Sequence, residues 1–233
     1  MPCINDNLNK VQQQIDEAAK SSGRATSDIT LLAVSKTRSA DELRLAYDCG
    51  QRHFGENYLQ ESLEKIDALS DLDELCWHFI GPIQSNKTRP IAESFHWVHS
   101  VDRLKIARRL SEQRPAHLPP LNICLQVNIS QEESKAGCMP AETATLVDEI
   151  VQLPNIQLRG LMAIPKATDD ADEQRDAFHR MQQLFSTLQQ KHPTLDTLSM
   201  GMSGDMAMAI AEGATIVRIG TAIFGPRDYS NKN

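Results

Sequence analysis

The sequence predicts an α/β fold of the (β/α)8 type, a TIM barrel with one extra helix at its N-terminal end. Three observations lead to this class. Short apolar runs alternate with longer amphipathic stretches, eight such runs can be distinguished, and 233 residues divided by eight give about 29 residues per unit, an ordinary length for a strand plus a helix. Strands that alternate with helices indicate a parallel sheet with right-handed crossovers, and eight repeats indicate closure into a barrel.

The elements follow one another regularly along the chain. Residues 5–20 form the extra helix, since their apolar side chains recur at helical spacing: Leu8, Val11, Ile15 and Ala18. Eight apolar runs then read as buried strands: 29–35, 53–55, 77–81, 97–101, 122–129, 156–164, 197–201 and 215–220. Helical patterns lie between them at 41–49, 58–69, 85–94, 103–112, 141–152, 174–191 and 205–212. After the last strand only a short tail remains.

Two predicted strands, 53–55 and 197–201, are short, and they leave a doubly wound open sheet as the alternative arrangement. No shift in composition, internal repeat or low-complexity linker marks a second domain, so we expect one domain over residues 1–233. Residues 228–233 are polar, and we expect them to form a disordered tail.

Composition narrows the class of protein. The formal net charge is −7, which argues against a binder of duplex nucleic acid because such a protein needs a basic face. The cysteines lie at positions 3, 49, 76, 124 and 138, and their odd number and wide spacing indicate reduced thiols in a cytoplasmic protein. No signal peptide is visible at the N-terminus, and no apolar run approaches the ~20 residues that span a bilayer.

The histidines predict no metal site. His96 and His99 are three positions apart on a predicted strand, which places their side chains on opposite faces. Neither an HxH nor an HExxH motif occurs, and the glycine-rich motifs of dinucleotide and P-loop sites are absent as well.

Lys36 ends the first predicted strand, and functional groups of such barrels lie at the C-terminal ends of the strands. Leu32, Val34 and Lys36 share a parity, so Lys36 points into the barrel mouth if Val34 points inward. Partial desolvation there favours the neutral amine, which is the nucleophile that forms a Schiff base with an aldehyde. The alternative is a solvated lysine on an ordinary loop.

Arg218 strengthens the functional interpretation of Lys36. Ile216, Arg218 and Gly220 share a parity in the eighth predicted strand, and a closed barrel pairs this strand with the first. Arg218 and Lys36 are therefore expected to be near neighbours in one pocket, where two inward cations require an anion or an acceptor. The alternative, an outward Arg218 that lies against a helix, fits its apolar neighbours less well.

The loops after the seventh and eighth strands predict a site for a phosphate group. Ser203 and Gly204 precede a helical run, so Ser203 is a candidate N-cap whose hydroxyl lies beside free amide groups. Gly220 permits a close approach of the backbone to a ligand, and Thr221 adds a hydroxyl group. Each of these features alone is also explained by an ordinary helix cap or turn. The prediction depends on the fact that the two loops follow adjacent strands of the barrel.

Six runs of the sequence together resemble a known family. They are LLAVSKT (31–37), HFGENYLQE (53–61), WHFIGPIQSNK (77–87), RGLMAI (159–164), LSMGMSGDMAMAI (198–210) and VRIGTAIFG (217–225). In this order, which extends over nearly the whole chain, they are similar to the YggS/PROSC family of pyridoxal-phosphate-binding homeostasis proteins. WHFIGPIQSNK is especially specific, although its residues suggest no chemical role.

The resemblance implies a single-domain barrel like the N-terminal domain of alanine racemase, with the cofactor pyridoxal 5'-phosphate (PLP) held as a Schiff base on Lys36. It implies that Arg218 faces the pyridine nitrogen. The residues implied to contact the phosphate are Ser203, Gly204, Gly220 and Thr221, and those implied to lie near the ring are Asn57 and Met200.

Two residues depart from the pattern of the family. Arg38 stands where lysine is frequent, which puts in doubt any relay of PLP through a second lysine at the mouth. Gly204 stands where serine or aspartate is common, so it offers only its backbone amide to the phosphate.

The resemblance implies a carrier or buffer of PLP that serves PLP homeostasis, without robust catalysis. A guanidinium beside the pyridine nitrogen keeps that nitrogen unprotonated and so weakens the ring as an electron sink. One alternative is a PLP-dependent amino-acid racemase, which needs a second base from another domain, whereas the barrel consumes the 233 residues. Another is a phosphate-binding barrel in which Lys36 is a plain ion-pair partner.

The expected partners follow from these readings. PLP is the ligand, and enzymes that lack their PLP are transient recipients. We expect a cytoplasmic monomer that binds neither nucleic acid nor membrane.

Overall fold

Eight parallel strands close into a barrel in the computed structural model, which describes residues 3–132 and 135–226. The strands lie in chain order and the eighth pairs with the first. Their bounds are β1 Thr30–Val34, β2 His53–Glu56, β3 Cys76–Phe79, β4 Trp97–Val101, β5 Leu121–Gln126, β6 Ile156–Met162, β7 Thr197–Ser199 and β8 Ile216–Ile219. The predicted (β/α)8 class is confirmed, and the open-sheet alternative is wrong.

Helices surround the barrel and connect its strands. The first is the predicted extra helix, α1, at Ile4–Ser21. The connecting helices are α2 Ala40–Asp48, α3 Leu59–Ala68, α4 Thr88–Ser94, α5 Leu104–Gln113, α6 Pro140–Ile150, α7 Ala171–Lys191 and α8 Met206–Ala211. A further helix, α9 at Thr221–Phe224, follows β8, where the sequence analysis predicts only a tail. Its Ile223 and Phe224 are buried, which explains why this short apolar segment folds back onto the barrel.

The register between β8 and β1 determines which side chains enter the barrel. Leu32 pairs with Arg218, and their exposed fractions are 0% and 4%. Because alternate residues of a strand face opposite sides, Val34 and Gly220 continue these inward rows and line the same cavity as Arg218. The predicted inward direction of Arg218 is confirmed.

The outward side chains of the strands form the core beneath the helices. Phe54 and Trp77 alternate with inward residues of β2 and β3, and both are buried. Their ring centroids lie 6.0 Å apart. Burial of such large apolar groups, at roughly 1.5–3 kcal/mol each, stabilises the barrel from outside.

Helix α1 packs against α8 and α9, the two helices that follow β7 and β8. Asn7 Nδ2 donates to the carbonyl of Ile223 at 2.8 Å. Arg24 donates to the carbonyls of Ile210 and Ala214 at 2.9 and 2.6 Å. The extra helix therefore holds the segments that follow the last two strands.

In the described part of the chain, the helices are too short or too polar to cross a membrane. The predicted tail at 228–233 lies outside the described residues.

Candidate functional site

A cavity of about 300 Å³ opens at the C-terminal end of the barrel. Its lining consists of Val34, Lys36, Asn57, Ile80, Ile164, Met202, Ser203, Gly204, Arg218, Gly220 and Thr221. Seven of the eight predicted site residues are in this set. A larger groove of about 550 Å³ lies outside the barrel between α1 and α8, and it contains neither Lys36 nor Arg218.

The backbone on both sides of Lys36 is fixed by groups from α3. Lys65 Nζ donates to the carbonyl of Ser35 at 2.8 Å, and the amide of Thr37 donates to Glu61 Oε1 at 2.5 Å. Thr37 has a φ of 65°, a left-handed conformation that is unfavourable for a branched residue and needs such support. The side chain of Lys36 is thereby placed at the rim of the cavity.

A buried carboxylate completes the support beneath Lys36. The Ser35 hydroxyl donates to Glu56 Oε1 at 2.6 Å, and Lys65 Nζ lies 2.8 Å from the same atom. Burial raises the pKa of Glu56, and Lys65 and Ser35 oppose this shift. Sequence reasoning missed Lys65. The only feature of the sequence that pointed to Lys65 was its four-residue spacing from Glu61 on a predicted helix. Exposed ion pairs have the same spacing, so it does not indicate a buried lysine.

Arg218 forms the floor of the cavity. Its two terminal nitrogens donate to Ser199 Oγ and to the carbonyl of Ala163, each at 2.9 Å. Burial lowers the pKa of Arg218 to about 10, and the charge of Asp205 opposes the shift. Because Arg218 pairs with Leu32 and Lys36 lies beyond the end of β1, the two cations are stacked from floor to rim of one cavity.

Asn57 follows β2 and presents a buried acceptor to the site. Among the described residues, its Oδ1 atom has no hydrogen-bond partner. A buried amide oxygen without a partner costs free energy, so this atom fits a ligand that donates or brings a polar group. Gly81 allows the placement, because a Cβ there would lie 2.1 Å from the carbonyl oxygen of Asn57. This contact gives part of the WHFIGPIQSNK run a structural role.

The loop after β7 differs from the prediction in one respect. Helix α8 begins at Met206 with Asp205 as its N-cap residue, so the prediction of Ser203 as the N-cap is wrong. The Asp205 carboxylate accepts the amide of Met202 at 2.5 Å and shapes the loop by its own short-range hydrogen bond. Ser203 and Gly204 are exposed at the cavity mouth.

The loop after β8 opens α9. Gly220 is the N-cap residue and Thr221 is the first helical residue. The amide of Ile223 donates to the carbonyl of Gly220 at 2.9 Å, so the amides that α9 can offer to an anion are those of its first two residues. A Cβ on Gly220 would lie 3.2 Å from the carbonyl of Val34, which explains the glycine.

Arg38, a departure from the family pattern, donates to the carbonyls of Gly225 and Pro226 at 2.5 and 2.9 Å.

Met200 is the predicted site residue that the cavity lining does not include. It is fully buried, with 0% exposure, and packs in the core. Met202, two positions later and 40% exposed, lines the cavity instead. Met200 was placed near the ring by the family resemblance alone, and it follows directly after β7, which ends at Ser199, two residues earlier than predicted.

Two buried histidines form a part of the barrel interior that the sequence analysis did not identify. His78 and His99 both have 0% exposure. His96 precedes β4, which begins at Trp97, so the strand alternation used to place His96 and His99 does not extend to His96. Ligand atoms of His53, Cys76 and His78 lie within 4.8 Å of one another, but the nitrogens of the two histidines already bond each other at 2.9 Å. In the sequence, this cluster is indicated by Cys76 and His78, which are two positions apart and so share a face of β3. Cys76 pairs with His53 of β2.

The donor set of the cavity selects a class of ligand. An amine stands at the rim, a guanidinium at the floor, and hydroxyl and amide groups at the mouth. Two cations in a chain of net charge −7 favour an anion. The arrangement suits a small anionic molecule, and a primary amine at the rim can react with a carbonyl group.

Comparisons with known proteins agree with this class. The family of the alanine racemase N-terminal domain matches residues 7–228. A pyridoxal phosphate homeostasis protein of Pseudomonas aeruginosa is 60% identical over 229 residues, which are 98% of this chain and 98% of that protein.

Solved structures extend the comparison. PipY of Synechococcus elongatus PCC7942 without PLP is 39% identical with a TM-score of 0.85, over 95% of this chain and 100% of that one. PipY with PLP bound is 40% identical with a TM-score of 0.79, over 91% and 100%. Alanine racemase of Clostridium difficile 630 is 15% identical with a TM-score of 0.75, over 100% of this chain and 59% of that one. At that identity the likeness shows the fold alone.

Proposed function

Because this chain belongs to the family of pyridoxal phosphate homeostasis proteins, we propose that it binds PLP at the C-terminal end of its barrel and takes part in PLP homeostasis. The observation that carries the proposal is the convergence of Lys36, Arg218 and the loops after β7 and β8 on one cavity. The solved structure of its relative PipY with PLP bound supports the same ligand.

The lining residues fit the cofactor in their chemistry. PLP supplies an aldehyde that condenses with a primary amine with loss of water, and Lys36 is the proposed amine. Ser203, Gly204, Gly220 and Thr221 are the proposed phosphate contacts, through hydroxyl groups and backbone amides. The unpartnered Oδ1 of Asn57 is the second observation in favour of a polar ligand.

Arg218 is the proposed neighbour of the pyridine nitrogen. Ser199 and Ala163 occupy one donor on each terminal nitrogen, and the guanidinium has further N–H groups that can face the cavity. A guanidinium donates but does not give up its proton, so the ring nitrogen it contacts stays unprotonated. Such a ring withdraws electrons weakly, which favours storage of the cofactor over catalysis.

The finer parts of the proposal concern the cellular role. We place the protein in the cytoplasm as a monomeric single-domain carrier or buffer, without robust catalysis of its own. Its transient recipients would be enzymes that lack PLP. The exposed mouth residues, Met202 among them, leave the cavity open toward such a recipient.

The decisive experiment is a titration of PLP into the purified, cofactor-free protein, followed by absorption spectroscopy and equilibrium dialysis. We expect saturable binding and a visible absorption band that is distinct from free PLP. Borohydride reduction and peptide mapping are expected to place the label on Lys36. Saturable binding without a band or label would point to the phosphate-binding alternative, and no binding would overturn the proposal.

A further inference from the structure

A continuous chain of hydrogen bonds crosses the barrel interior from the floor of the cavity. Arg218 donates to Ser199 Oγ at 2.9 Å, and Ser199 Oγ lies 2.8 Å from His99 Nδ1. His99 Nε2 lies 2.9 Å from His78 Nδ1, and His78 Nε2 lies 2.9 Å from His53 Nδ1. The chain therefore links β8, β7, β4, β3 and β2 in one line.

This line is polar where the interior of such a barrel is usually filled by branched apolar side chains. Ser199, His78 and His99 have 0% exposure, and Arg218 has 4%. Buried polar groups are costly unless each finds a partner. Packed apolar side chains would stabilise the barrel interior without that cost. The chain of hydrogen bonds therefore needs a functional explanation.

Arg218 fixes the direction of the first hydrogen bond. A guanidinium only donates, so Ser199 accepts from it. We assign the Ser199 proton to the contact with His99 Nδ1, which is the direction that the NMR measurement below tests. Burial lowers the pKa of His99 to about 3 and that of His78 well below its usual value, so both rings are neutral near pH 7. A neutral ring that accepts at Nδ1 carries its proton on Nε2. His99 therefore donates to His78, and His78 donates to His53.

We propose that Ser199, His99 and His78 are positioning residues that hold the guanidinium of Arg218 in the orientation that meets the ring nitrogen of PLP. The inference rests on the proposed function, because it concerns a contact with PLP. Ser199 fixes one terminal nitrogen of Arg218, and the carbonyl of Ala163 fixes the other. Since the guanidinium is planar and rigid, these two contacts fix its plane. His99 and His78 act indirectly, because they hold the Ser199 hydroxyl in its accepting orientation.

The test compares two ligands that differ only at the ring nitrogen. One is PLP, and the other is its 1-deaza analogue, in which a C–H group replaces that nitrogen. Affinities are measured for the wild type, His99→Leu, Ser199→Ala and His99→Gln. The glutamine amide has both an acceptor and a donor and can replace both contacts of the imidazole. His96→Leu is the matched control, because exposed His96 precedes the same strand and accepts the Trp77 amide outside the chain.

We expect His99→Leu and Ser199→Ala each to weaken PLP by about tenfold, the scale of one hydrogen bond that involves a charged group. Their affinity for the deaza analogue should stay within about twofold of the wild type. His99→Gln should recover most of the PLP affinity, and His96→Leu should alter neither ligand. Equal losses for both ligands, or no loss for either, would overturn the positioning role. A wild type that binds neither ligand would instead overturn the proposed function.

A second measurement needs no ligand and tests the direction of the chain. Nitrogen-15 NMR of the imidazoles in the cofactor-free protein should show His78 and His99 as neutral rings with the proton on Nε2. Protons on Nδ1 of these rings would contradict the proposed chain, even if the variants fail to fold.

Discussion

Lys36 is positioned by its neighbours, since the carbonyl of Ser35 and the amide of Thr37 are held by Lys65 and Glu61. Truncating the Lys36 side chain should leave this loop in place. We expect Lys36→Ala to change the free energy of unfolding by about 1 kcal/mol or less and to abolish the visible band. Absorption spectra and borohydride labelling after dialysis with PLP provide the measurement. A retained band, with labelled protein, would contradict the assignment of Lys36.

Thr221 permits a test of the phosphate end of the site. Its side chain lies at the exposed start of α9, so Thr221→Val should not unfold the protein. A hydrogen bond to a charged group contributes roughly 1.5–3 kcal/mol, so PLP should bind about ten- to a hundredfold more weakly. Unphosphorylated pyridoxal should be almost unaffected. Titration of both aldehydes, with a melting curve for each protein, would reject the assignment if the two losses were equal.

Single residues were predictable where strand alternation and chain position fix a side chain. Arg218 and Lys36 belong to this class. The capping role of Ser203 was not predictable, because it depends on the residue at which α8 begins. Met200 was named from the family resemblance alone, and it lies in the core. The residues that support the site from behind, Lys65, His78 and His99, could not be predicted for another reason. A sequence does not show which distant elements bring two polar groups into contact.

At the scale of elements, the close approach of the segments after β2 and β3 is a test of backbone packing. Gly81→Ala would bring a Cβ to 2.1 Å from the Asn57 carbonyl oxygen, so the two loops must separate. We expect a loss of about 1–3 kcal/mol in unfolding free energy and weaker PLP binding. Gly204→Ala is the matched control for the unfolding free energy, because nothing lies within 4 Å of its added Cβ. Chemical denaturation that showed equal effects for both variants would contradict this packing argument.

The elements themselves were largely predictable, because apolar periodicity differs clearly between strands and helices. The eight strands occur where expected, with ends that differ by a few residues. Helix α9 was not predicted, since its four residues are too few to show a helical period. Its stability comes from contact with α1, which is a tertiary effect.

At the scale of the whole molecule, the buried imidazoles give stability a defined pH dependence. Burial lowers the pKa of His99 to about 3 and lowers that of His78 strongly, whereas an unfolded histidine titrates near 6.5. The unfolded chain therefore takes up protons first as the pH falls. Stability is complete above about pH 6.5 and is lost below it, by up to ~1.4 kcal/mol per pH unit for each ring. The raised pKa values of Glu56 and Asp205 oppose this trend.

Denaturation curves at pH 7, 6 and 5 measure this dependence. Most carboxylates of an unfolded chain titrate near pH 4, and Glu56 and Asp205 contribute equally to the wild type and to a histidine variant. A comparison of the two proteins over this interval therefore isolates the histidine. His99→Gln should show a shallower slope than the wild type. Equal slopes for the two proteins would mean that His99 does not take up a proton on unfolding.

The proposed role as a carrier also gives an expectation about catalysis. Arg218 weakens the proposed cofactor as an electron sink. We expect no steady conversion of L-alanine to D-alanine beyond the background of Lys36→Ala. Chiral analysis of long incubations gives the measurement. Sustained turnover that Lys36→Ala abolishes would favour the racemase alternative over a carrier.

Closure between β1 and β8 has a consequence during protein synthesis. Thr30 of β1 pairs with Ile216 of β8. The first strand to be synthesised therefore lacks one of its two neighbours until the eighth strand has been made. Until then β1 is an open edge, the kind of edge that invites wrong pairing in a nascent chain. This last segment, β8 and the residues after it, also contains three of the predicted site residues: Arg218, Gly220 and Thr221. The proposed PLP site is therefore complete only after the chain has been made through β8 and the residues that follow it.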